Sequence, residues 1–415
     1  MTSKRQNILD SSLTLPPSSL DYDVVVVGGG PAGTSAAIHL ALGGARVLLA
    51  EQKKFPRAKL CGEFISPECL EHFERLGVAD KMMAGGVRLA ETIFYSRGGS
   101  SASVPSSWFG AGSAGALGLS RAEMDARLLA RARALGVEVL EEAQAVGLLV
   151  EGRRVRGVQL RSGNGGARAA SSLVTIDATG RSRALARRVE PERGTSGPTW
   201  EKKRAKLVAF KAHLEGARGE EGHCEIYFYR GGYGGLSRVE GGLSNLCFIA
   251  SARDVRACRS DAESVMRRIV AQNRRASYTL TGARVRSDWL SVALCSFGRS
   301  ELVPAEGLMA VGDAASFIDP FTGSGMLMAL ESGEIAAGTI TRRLAQLSTG
   351  ASFEALAHEY RSRYGEQFNA RLRVCAALRR AAFVPGLAEA AIRILAGSER
   401  ARRALARATR RGRDE

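Results

Sequence analysis

The sequence is 415 residues long, 45% hydrophobic and 24% charged, values that suit a globular protein of two closely joined domains. It contains no apolar stretch long enough to span a bilayer and no histidine or cysteine spacing typical of a metal site. We therefore expect no transmembrane segment and no bound metal. The seven cysteines follow no pairing pattern, which favours a reducing cytoplasm, and residues 1–20 predict a flexible polar arm without a secretory signal.

The first predicted elements are a strand, a helix and a second strand, at 24–27, 34–42 and 46–50. A G-x-G-x-x-G pattern joins the strand to the helix, and it consists of Gly28, Gly30 and Gly33 with Pro31 and Ala32 between them. The first glycine permits a sharp turn, the second lets a pyrophosphate approach the backbone, and the third lets the helix pack close to the strand. Glu51, roughly 20 residues further on, is placed to bind a ribose hydroxyl. A plain turn is the alternative, but the complete strand–helix–strand–acid order favours a dinucleotide site.

Two further segments place charged side chains near loops and caps. The loop over 55–68 follows the second strand directly and mixes arginine, lysine and glutamate with Cys61, which suits a loop that approaches a ligand. A helix is predicted after Ser120, whose spacing to Glu123 forms a capping box. Arg121 lies in the first turn, where a cation opposes the helix dipole. Either a nearby phosphate or flavin edge, or a simple surface position, would account for this arginine.

The later predicted strands also end in polar residues. A buried strand over 173–176 leads into the segment DATGRSRALARR, and another strand ends at the pair Gly312-Asp313. The segment PFTGSGM follows, and it opens a helix whose small residues allow close packing against a neighbour.

Together these motifs resemble the glutathione-reductase-type FAD enzymes of the aromatic hydroxylase class. The same superfamily contains the geranylgeranyl reductases and the flavin-dependent halogenases. The shared features are the glycine fingerprint with Glu51, the segment at 177–188, and Gly312-Asp313 followed by PFTGSGM. The resemblance spans most of residues 21–345, and it implies that FAD is the cofactor.

The resemblance also implies which part of FAD each matching residue contacts. Glu51 is expected at the adenosine ribose, Asp313 at the ribityl chain, and the turn over 323–326 beside the isoalloxazine ring. A helix N-terminus at that ring would stabilise the negative charge of reduced flavin. Arg121 and the backbone near Ala145 are further expected contacts. The complete set of expected FAD-binding residues is Gly28, Gly30, Pro31, Ala32, Gly33, Glu51, Arg121, Ala145, Asp313, Gly323, Gly325 and Met326.

The predicted fold class is α/β, with a Rossmann-like FAD-binding domain, an inserted mainly antiparallel β-sheet substrate domain and a C-terminal helical region. Alternating segments rich in tyrosine, phenylalanine and valine between 208 and 251 predict the inserted sheet. The expected divisions are the arm at 1–20, the FAD domain at 21–200 and 297–345, the substrate domain at 201–296 with part of 88–117, and the helical cap with its basic tail at 346–415.

The superfamily performs three chemistries, and this sequence departs from the motifs of the halogenases and of the isoprenoid reductases. The halogenase element W-x-W-x-I-P is absent, and the reductase element Y-x-W-x-F-P is reduced to Tyr233 followed by glycines. The segments KLCG at 59–62 and PFTGSGM still resemble the reductases. We expect a monooxygenase, a hydroxylase acting on an apolar aromatic, isoprenoid-like or polyketide-like small molecule, with a geranylgeranyl-reductase-like enzyme as the alternative. Under that alternative Cys61 is the candidate catalytic residue, although a small buried hydrophobe is its other interpretation.

The sequence does not identify the electron donor or any anionic binding partner of this basic chain. NAD(P)H or another reductant, such as an electron-donor protein, is expected to act transiently. The formal charge of +17 reflects either a compositional bias or an anionic partner. A nucleic-acid-binding protein has no support beyond that charge, so no nucleic acid is expected.

The C-terminal tail combines an apolar part with a basic part. The apolar residues between 383 and 395 are expected to pack on the FAD domain, whereas the arginines after Arg400 are expected to adsorb weakly to an anionic membrane surface. The expected localisation is therefore cytoplasmic, with peripheral membrane contact as an open possibility.

Overall fold

The computed structural model describes residues 20–109, 115–190, 206–295, 297–319, 323–350, 352–382 and 386–410. The expected N-terminal arm, except Leu20, and residues 320–322 of the PFTGSGM segment lie outside the described residues. The same holds for Phe383 and Val384 of the tail.

The described chain combines a strand–helix–strand unit at its start with later runs of strands and a helical C-terminal part, and the predicted α/β class is confirmed. The strands are β1 (Tyr22–Val27), β2 (Val47–Ala50), β3 (Phe64–Ile65), β4 (Val87–Leu89), β5 (Glu91–Tyr95), β6 (Ser101–Pro105), β7 (Ala116–Gly118), β8 (Glu138–Leu140), β9 (Ala143–Glu151), β10 (Arg154–Ser162), β11 (Ala167–Asp177), β12 (Leu207–Glu215), β13 (His223–Tyr229), β14 (Gly232–Arg238), β15 (Ser244–Ser251), β16 (Arg284–Val285), β17 (Leu290–Leu294), β18 (Gly298–Arg299), β19 (Leu308–Ala310) and β20 (Ser316–Phe317). The helices are α1 (Pro31–Leu42), α2 (Glu68–Arg75), α3 (Ala79–Gly85), α4 (Arg121–Ala134), α5 (Ala186–Val189), α6 (Ala252–Ala257), α7 (Ala262–Arg268), α8 (Arg274–Leu280), α9 (Gly325–Ser348), α10 (Phe353–Ala382), α11 (Leu387–Gly397) and α12 (Glu399–Arg410).

The first domain is built on a parallel sheet in the order β8-β2-β1-β11-β19, which the antiparallel strands β10 and β9 extend beside the first half of β11. The valines of β1 alternate between two hydrophobic cores. Val24 and Val26 pack in the core that contains α1, whereas Val25 and Val27 pack with residues of β9 and β10. A strand that is buried on both faces needs such a continuous apolar run.

Helix α9 packs closely on α1 because small residues line the contact. A Cβ added at Gly333 would lie 2.4 Å from the Ala32 carbonyl oxygen. A Cβ added at Gly312 would lie 2.7 Å from the Ala32 Cβ. This close approach brings the N-terminus of α9 to the same edge of the sheet as the N-terminus of α1.

The second sheet is mainly antiparallel, in the order β16-β12-β15-β14-β13-β5-β6, and β17 also pairs with β12. Because β5 pairs with β13, the segment 91–105 joins a sheet built mostly from residues 207–294. Its side chains alternate between two faces. Phe210 and Leu246 face a core closed by α6, α7 and α8, whereas Ala209 and Ile249 face the opposite side, towards α11.

The helical region differs from its predicted boundary. The division expected between residues 345 and 346 is wrong, because α9 continues through it to Ser348 and α10 then packs in the core of the first domain. The Tyr360 hydroxyl donates to the Ala310 carbonyl oxygen at 2.7 Å, which ties α10 to β19. The helices that leave this core are therefore α11 and α12.

The apolar part of the tail also packs differently from the prediction. Ile392 of α11 is buried in a core with Ala102 and Phe228 of the second sheet, and residues of the FAD domain, among them Phe317, pack at the edge of this core. This placement follows from the apolar side of that sheet, which needs a cover. Among the described residues, no helix is both long enough and apolar enough to cross a bilayer.

Candidate active site

A cavity of about 750 Å³ extends from the carboxyl ends of β1 and β2 to the face of the second sheet that lies under α11. It brings together the predicted catalytic cysteine and every predicted cofactor residue except Gly33, which packs behind the glycine turn. The predicted residues that line it are Gly28, Gly30, Pro31, Ala32, Glu51, Cys61, Arg121, Ala145, Asp313, Gly323, Gly325 and Met326.

The three glycines of the fingerprint serve two different purposes. At Gly28, where φ is +113°, an added Cβ would lie 2.3 Å from the Ala178 carbonyl oxygen, and at Gly33 it would lie 1.9 Å from the Gly28 carbonyl oxygen. The packing of the turn therefore requires these two glycines. At Gly30 the backbone is extended, and an added Cβ would meet no described atom closer than Arg121 Nη2 at 3.8 Å. The space in front of Gly30 is open to the cavity.

Helix α1 starts beside this open space. Its N-cap is Gly30, it has Pro31 in its first turn, and it has neither a side-chain cap nor an acidic residue there. The first N–H groups of the helix consequently keep their hydrogen-bonding capacity for an anion, which the helix dipole also favours.

Glu51 is fixed at the end of β2 with its carboxylate at the cavity. Its Oε2 accepts a hydrogen bond from the Gly29 N–H at 2.9 Å, and its Oε1 accepts one from the Lys53 N–H at 2.9 Å. Arg57 Nη2 lies 3.4 Å from Oε2. Because a carboxylate has about four acceptor sites, capacity remains for ribose hydroxyls.

Arg121 is buried and paired, which excludes the surface position considered from the sequence. Asp125 accepts from Arg121 Nε at 2.8 Å and from Nη2 at 2.7 Å, and it also accepts from Arg57 Nη1 at 3.1 Å. Burial opposes the charge of Arg121, but Asp125 outweighs burial and raises the pKa of the guanidinium. Asp125 was not predicted as a site residue, although its i,i+4 spacing from Arg121 on a helix is a usable signal in the sequence. The cavity thus has two oriented cations opposite the glycine turn.

Asp313 lies after β19 at the cavity wall. Burial raises the pKa of its carboxyl, and the charge of Arg181 lowers it in part. The Asp313 side chain makes no hydrogen bond to another residue in the described ranges, so a ligand hydroxyl is a suitable partner. Beside it, Gly323 has a φ of +64° and leads into α9, whose first turn contains Met326 and no acid. A second helix N-terminus therefore points towards the cavity.

Cys61 lies on the cavity wall, and its sulfur is 4.0 Å from the Met326 sulfur. All seven cysteines of the chain are free thiols. Burial is the main influence on the Cys61 thiol, and it raises the pKa of that group above its ordinary value. The thiol therefore stays protonated at neutral pH.

Two pairs of polar residues, each with a member on the cavity wall, were not predicted from the sequence. Glu63 forms a buried ion pair with Lys211 of β12 and lies in contact with His213 of the same strand. The Tyr233 hydroxyl donates to the Asp319 carboxylate, and both residues are buried. The spacing of Lys211 and His213, two residues apart on a strand, was the one local sign that they share a face.

The far end of the cavity is apolar. Its walls come from the second sheet and from α11, which faces that sheet across the cavity. Representative lining residues are Ile226, Phe228, Val292, Leu294, Ile392 and Leu395. This end is suited to a hydrocarbon ligand, whereas the glycine turn and the cations make the other end suited to a phosphorylated one.

The polar end fits FAD feature by feature. The open space at Gly30, the N-terminus of α1 and the nearby cations suit a pyrophosphate, and Glu51 suits a ribose. The unpaired carboxyl of Asp313 suits a ribityl hydroxyl, and the N-terminus of α9 suits the flavin ring. Lys59 and Arg181 add positive charge to the same wall. This fold and this site define an FAD-dependent oxidoreductase.

Comparison with known proteins supports the class. The family described as "FAD binding domain" matches residues 21–367, and the chain belongs to this family. The chain is 28% identical over 336 residues to a menaquinone reductase of Mycolicibacterium smegmatis. The aligned region covers 77% of this chain and 76% of that protein. The chain is 28% identical over 356 residues to digeranylgeranylglycerophospholipid reductase 2 of Methanopyrus kandleri, with coverage of 84% and 83%. A geranylgeranyl bacteriochlorophyll reductase-like protein of Thermoplasma acidophilum has the same fold, with a TM-score of 0.74 at 20% identity and coverage of 93% and 96%.

Proposed function

We propose that this enzyme reduces carbon–carbon double bonds in an isoprenoid-like lipid. Two of the similar proteins are named menaquinone reductase and digeranylgeranylglycerophospholipid reductase. These similarities favour a reductase over the hydroxylase that was the first expectation from the sequence. The KLCG and PFTGSGM segments, which resemble the reductases, favour it as well.

The observation that carries the proposal is that Cys61 lines the cavity shared by the cofactor residues and the apolar residues of the second sheet, while its neighbour Leu60 packs against that apolar core. Its neighbour Met326 starts the helix that is expected beside the flavin ring. Burial raises the pKa of the Cys61 thiol, so a proton is available there at neutral pH. A protonated group at this junction can act as a general acid towards a bound alkene.

FAD in its reduced form supplies a hydride equivalent when it is bound. Saturating one double bond also consumes one proton, which in this proposal leaves the Cys61 sulfur and bonds to the second alkene carbon. The resulting thiolate then takes a proton from water. NAD(P)H or an electron-donor protein is the proposed source of the electrons.

The chain positions the substrate by excluding water from its apolar part. The lining of the second sheet and α11 is hydrocarbon, so each methylene of a lipid chain that enters is favoured by about 0.8 kcal/mol. A branched isoprenoid chain is a hydrocarbon, as these walls require, and we propose that one of its double bonds lies beside Cys61.

Product analysis tests this proposal. FAD-loaded protein is incubated with a reductant, isotopically labelled O₂ and a lipid with a geranylgeranyl chain, and the products are analysed by mass spectrometry. We expect products that have gained hydrogen only, and no reaction with the saturated phytanyl lipid. A product that carries labelled oxygen would contradict the proposal and identify the enzyme as a hydroxylase.

A further inference from the structure

Glu63 is a fully buried carboxylate two residues after Cys61. Its Oε1 accepts hydrogen bonds from the Arg121 backbone N–H at 2.9 Å and from the Lys211 ammonium at 2.6 Å. The Nε2 atom of His213 lies 2.6 Å from the Glu63 Oε2. Donors from both domains therefore converge on this one side chain.

The backbone just before Glu63 is held by the same sheet. Asn245 Nδ2 donates to the Cys61 carbonyl oxygen at 3.1 Å, and Ser237 Oγ donates to the Gly62 carbonyl oxygen at 3.5 Å. The Glu63 N–H donates to the Cys61 sulfur at 3.4 Å. Glu63 itself has a φ of +54°, a conformation that a side-chain-bearing residue keeps only where its surroundings impose it.

The charges of this cluster depend on one another. Burial alone would raise the pKa of Glu63, but the His213 hydrogen bond and the Lys211 charge outweigh burial and lower it. The carboxylate is therefore ionised in the folded protein. Since Lys211 is only 2% exposed, removing the carboxylate would leave a buried cation without its counter-charge.

We propose that Glu63 is a positioning residue, which holds the Cys61 thiol at the junction of the cofactor end and the apolar end of the cavity. Glu63 connects the loop of the first domain to β12. Because β12 belongs to the sheet that lines the apolar end of the cavity, this sheet fixes the position of the thiol. The catalytic consequence rests on the proposed function, whereas the placement of the thiol can be measured without substrate. A purely stabilising Glu63 would affect the melting temperature and leave the thiol's accessibility and the turnover unchanged.

The test measures how fast iodoacetamide alkylates Cys61 in full-length, FAD-loaded protein, with the modified cysteines located by peptide mass spectrometry. The exposed Cys295 is the internal reference. The variants are Glu63→Gln, which keeps the shape and removes the charge, and Lys211→Met, which removes one donor. Glu215→Gln is the matched control, because it lies on the same strand and breaks only a surface ion pair.

Glu63→Gln is expected to accelerate alkylation of Cys61 roughly 10- to 100-fold, the effect of losing one hydrogen bond to a charged group. Lys211→Met is expected to accelerate it too, although loss of a nearby cation by itself disfavours the thiolate and would slow the reaction. Alkylation of Cys61 in Lys211→Met is therefore faster if the loop is released and slower if only the electrostatics change, so the direction of the rate change distinguishes the two causes. The control and the Cys295 rate should equal those of the parent.

Turnover separates this inference from the proposed function. If the parent reduces double bonds, both variants should lower kcat and leave KM near the parental value. If the parent has no such activity but both variants accelerate alkylation, the positioning role stands and the proposed function fails. Cys61 alkylation at or below the parental rate in a folded Lys211→Met or Glu63→Gln protein overturns the inference.

Discussion

Replacing Gly30 with valine should abolish tight FAD binding and leave the fold intact. The backbone at Gly30 has a φ of −79° and a ψ of −177°, an extended conformation that valine adopts without strain. The nearest described atom to an added Cβ is 3.8 Å away, at the flexible end of the Arg121 side chain, so the backbone leaves room for a Cβ there. The valine methyl groups would instead occupy the space where the pyrophosphate must approach the N-terminus of α1.

The size of the effect follows from the bonds that the displaced pyrophosphate would lose. A hydrogen bond from a backbone N–H to a charged oxygen contributes about 1.5–3 kcal/mol. Loss of two such bonds weakens binding by about 3–6 kcal/mol, which raises the Kd for FAD by roughly 10²- to 10⁴-fold. Gly28→Val is the comparison, because its Cβ would lie 2.3 Å from a carbonyl oxygen at a φ of +113°. Strain and overpacking there should lower the free energy of unfolding by about 2–6 kcal/mol.

The assay combines an FAD titration followed by flavin fluorescence with circular dichroism of the apoprotein. Gly30→Val should keep the parental spectrum and melting temperature and lose FAD, whereas Gly28→Val should lose stability even without FAD. Gly30→Ala should have an intermediate Kd. A Gly30→Val protein that binds FAD as tightly as the parent, or that fails to fold, would refute the assignment of Gly30 to the cofactor site.

Four further predictions concern other parts of the molecule. Asp313→Ala should weaken FAD binding by about 1.5–3 kcal/mol, measured by the same titration; Asp313→Asn, which can still accept one hydrogen bond, should weaken it less. Cys61→Ser should slow double-bond reduction and leave the rate of flavin reduction unchanged, and equal product formation would remove this thiol from the mechanism. Glu334 pairs with His72 and Arg75, which outweigh burial and lower its pKa to about 2. The stability that this pairing contributes is therefore present above the ordinary pKa near 4.5 and is lost as the pH falls towards 2, by about 1–2 kcal/mol after allowance for partial exposure. Glu334→Gln should flatten this part of the stability–pH curve. We also propose that the arginines after Arg400 adsorb weakly to anionic vesicles, with a salt-sensitive free energy of roughly 1 kcal/mol per arginine before screening. Equal co-sedimentation of the full chain and a version ending at Arg400 would contradict this proposal.

The features that could be predicted from the sequence depend on short-range spacing. The glycine fingerprint, Glu51 and the strand of valines lie within one strand–helix–strand unit, so local pattern suffices to place them. The alternating segments after residue 207 likewise predict their sheet. Asp313 follows a predicted strand, but its expected role at the ribityl chain came only from the resemblance to a known family.

The features that could not be predicted depend on contacts between distant parts of the chain. Glu63 and Lys211 are 148 positions apart, and neither residue has a neighbour in sequence that signals the pair. The same reason applies to α10, whose core contacts with β19 cannot be inferred from helix periodicity. Its apolar and aromatic residues, among them Leu356 and Tyr360, indicate a buried face, but they do not indicate the partner.

The most direct test of the proposed reductase function follows reoxidation of the flavin by stopped-flow spectrophotometry in the absence of oxygen. FAD-loaded protein is reduced and then mixed with a lipid that has a geranylgeranyl chain, with the saturated phytanyl lipid as the control. We predict that the unsaturated lipid restores the oxidised flavin spectrum at a rate that depends on lipid concentration, and that the saturated lipid does not. A flavin that stays reduced with every unsaturated lipid, yet is reoxidised by O₂ with formation of an oxygenated product, would contradict double-bond reduction as the function.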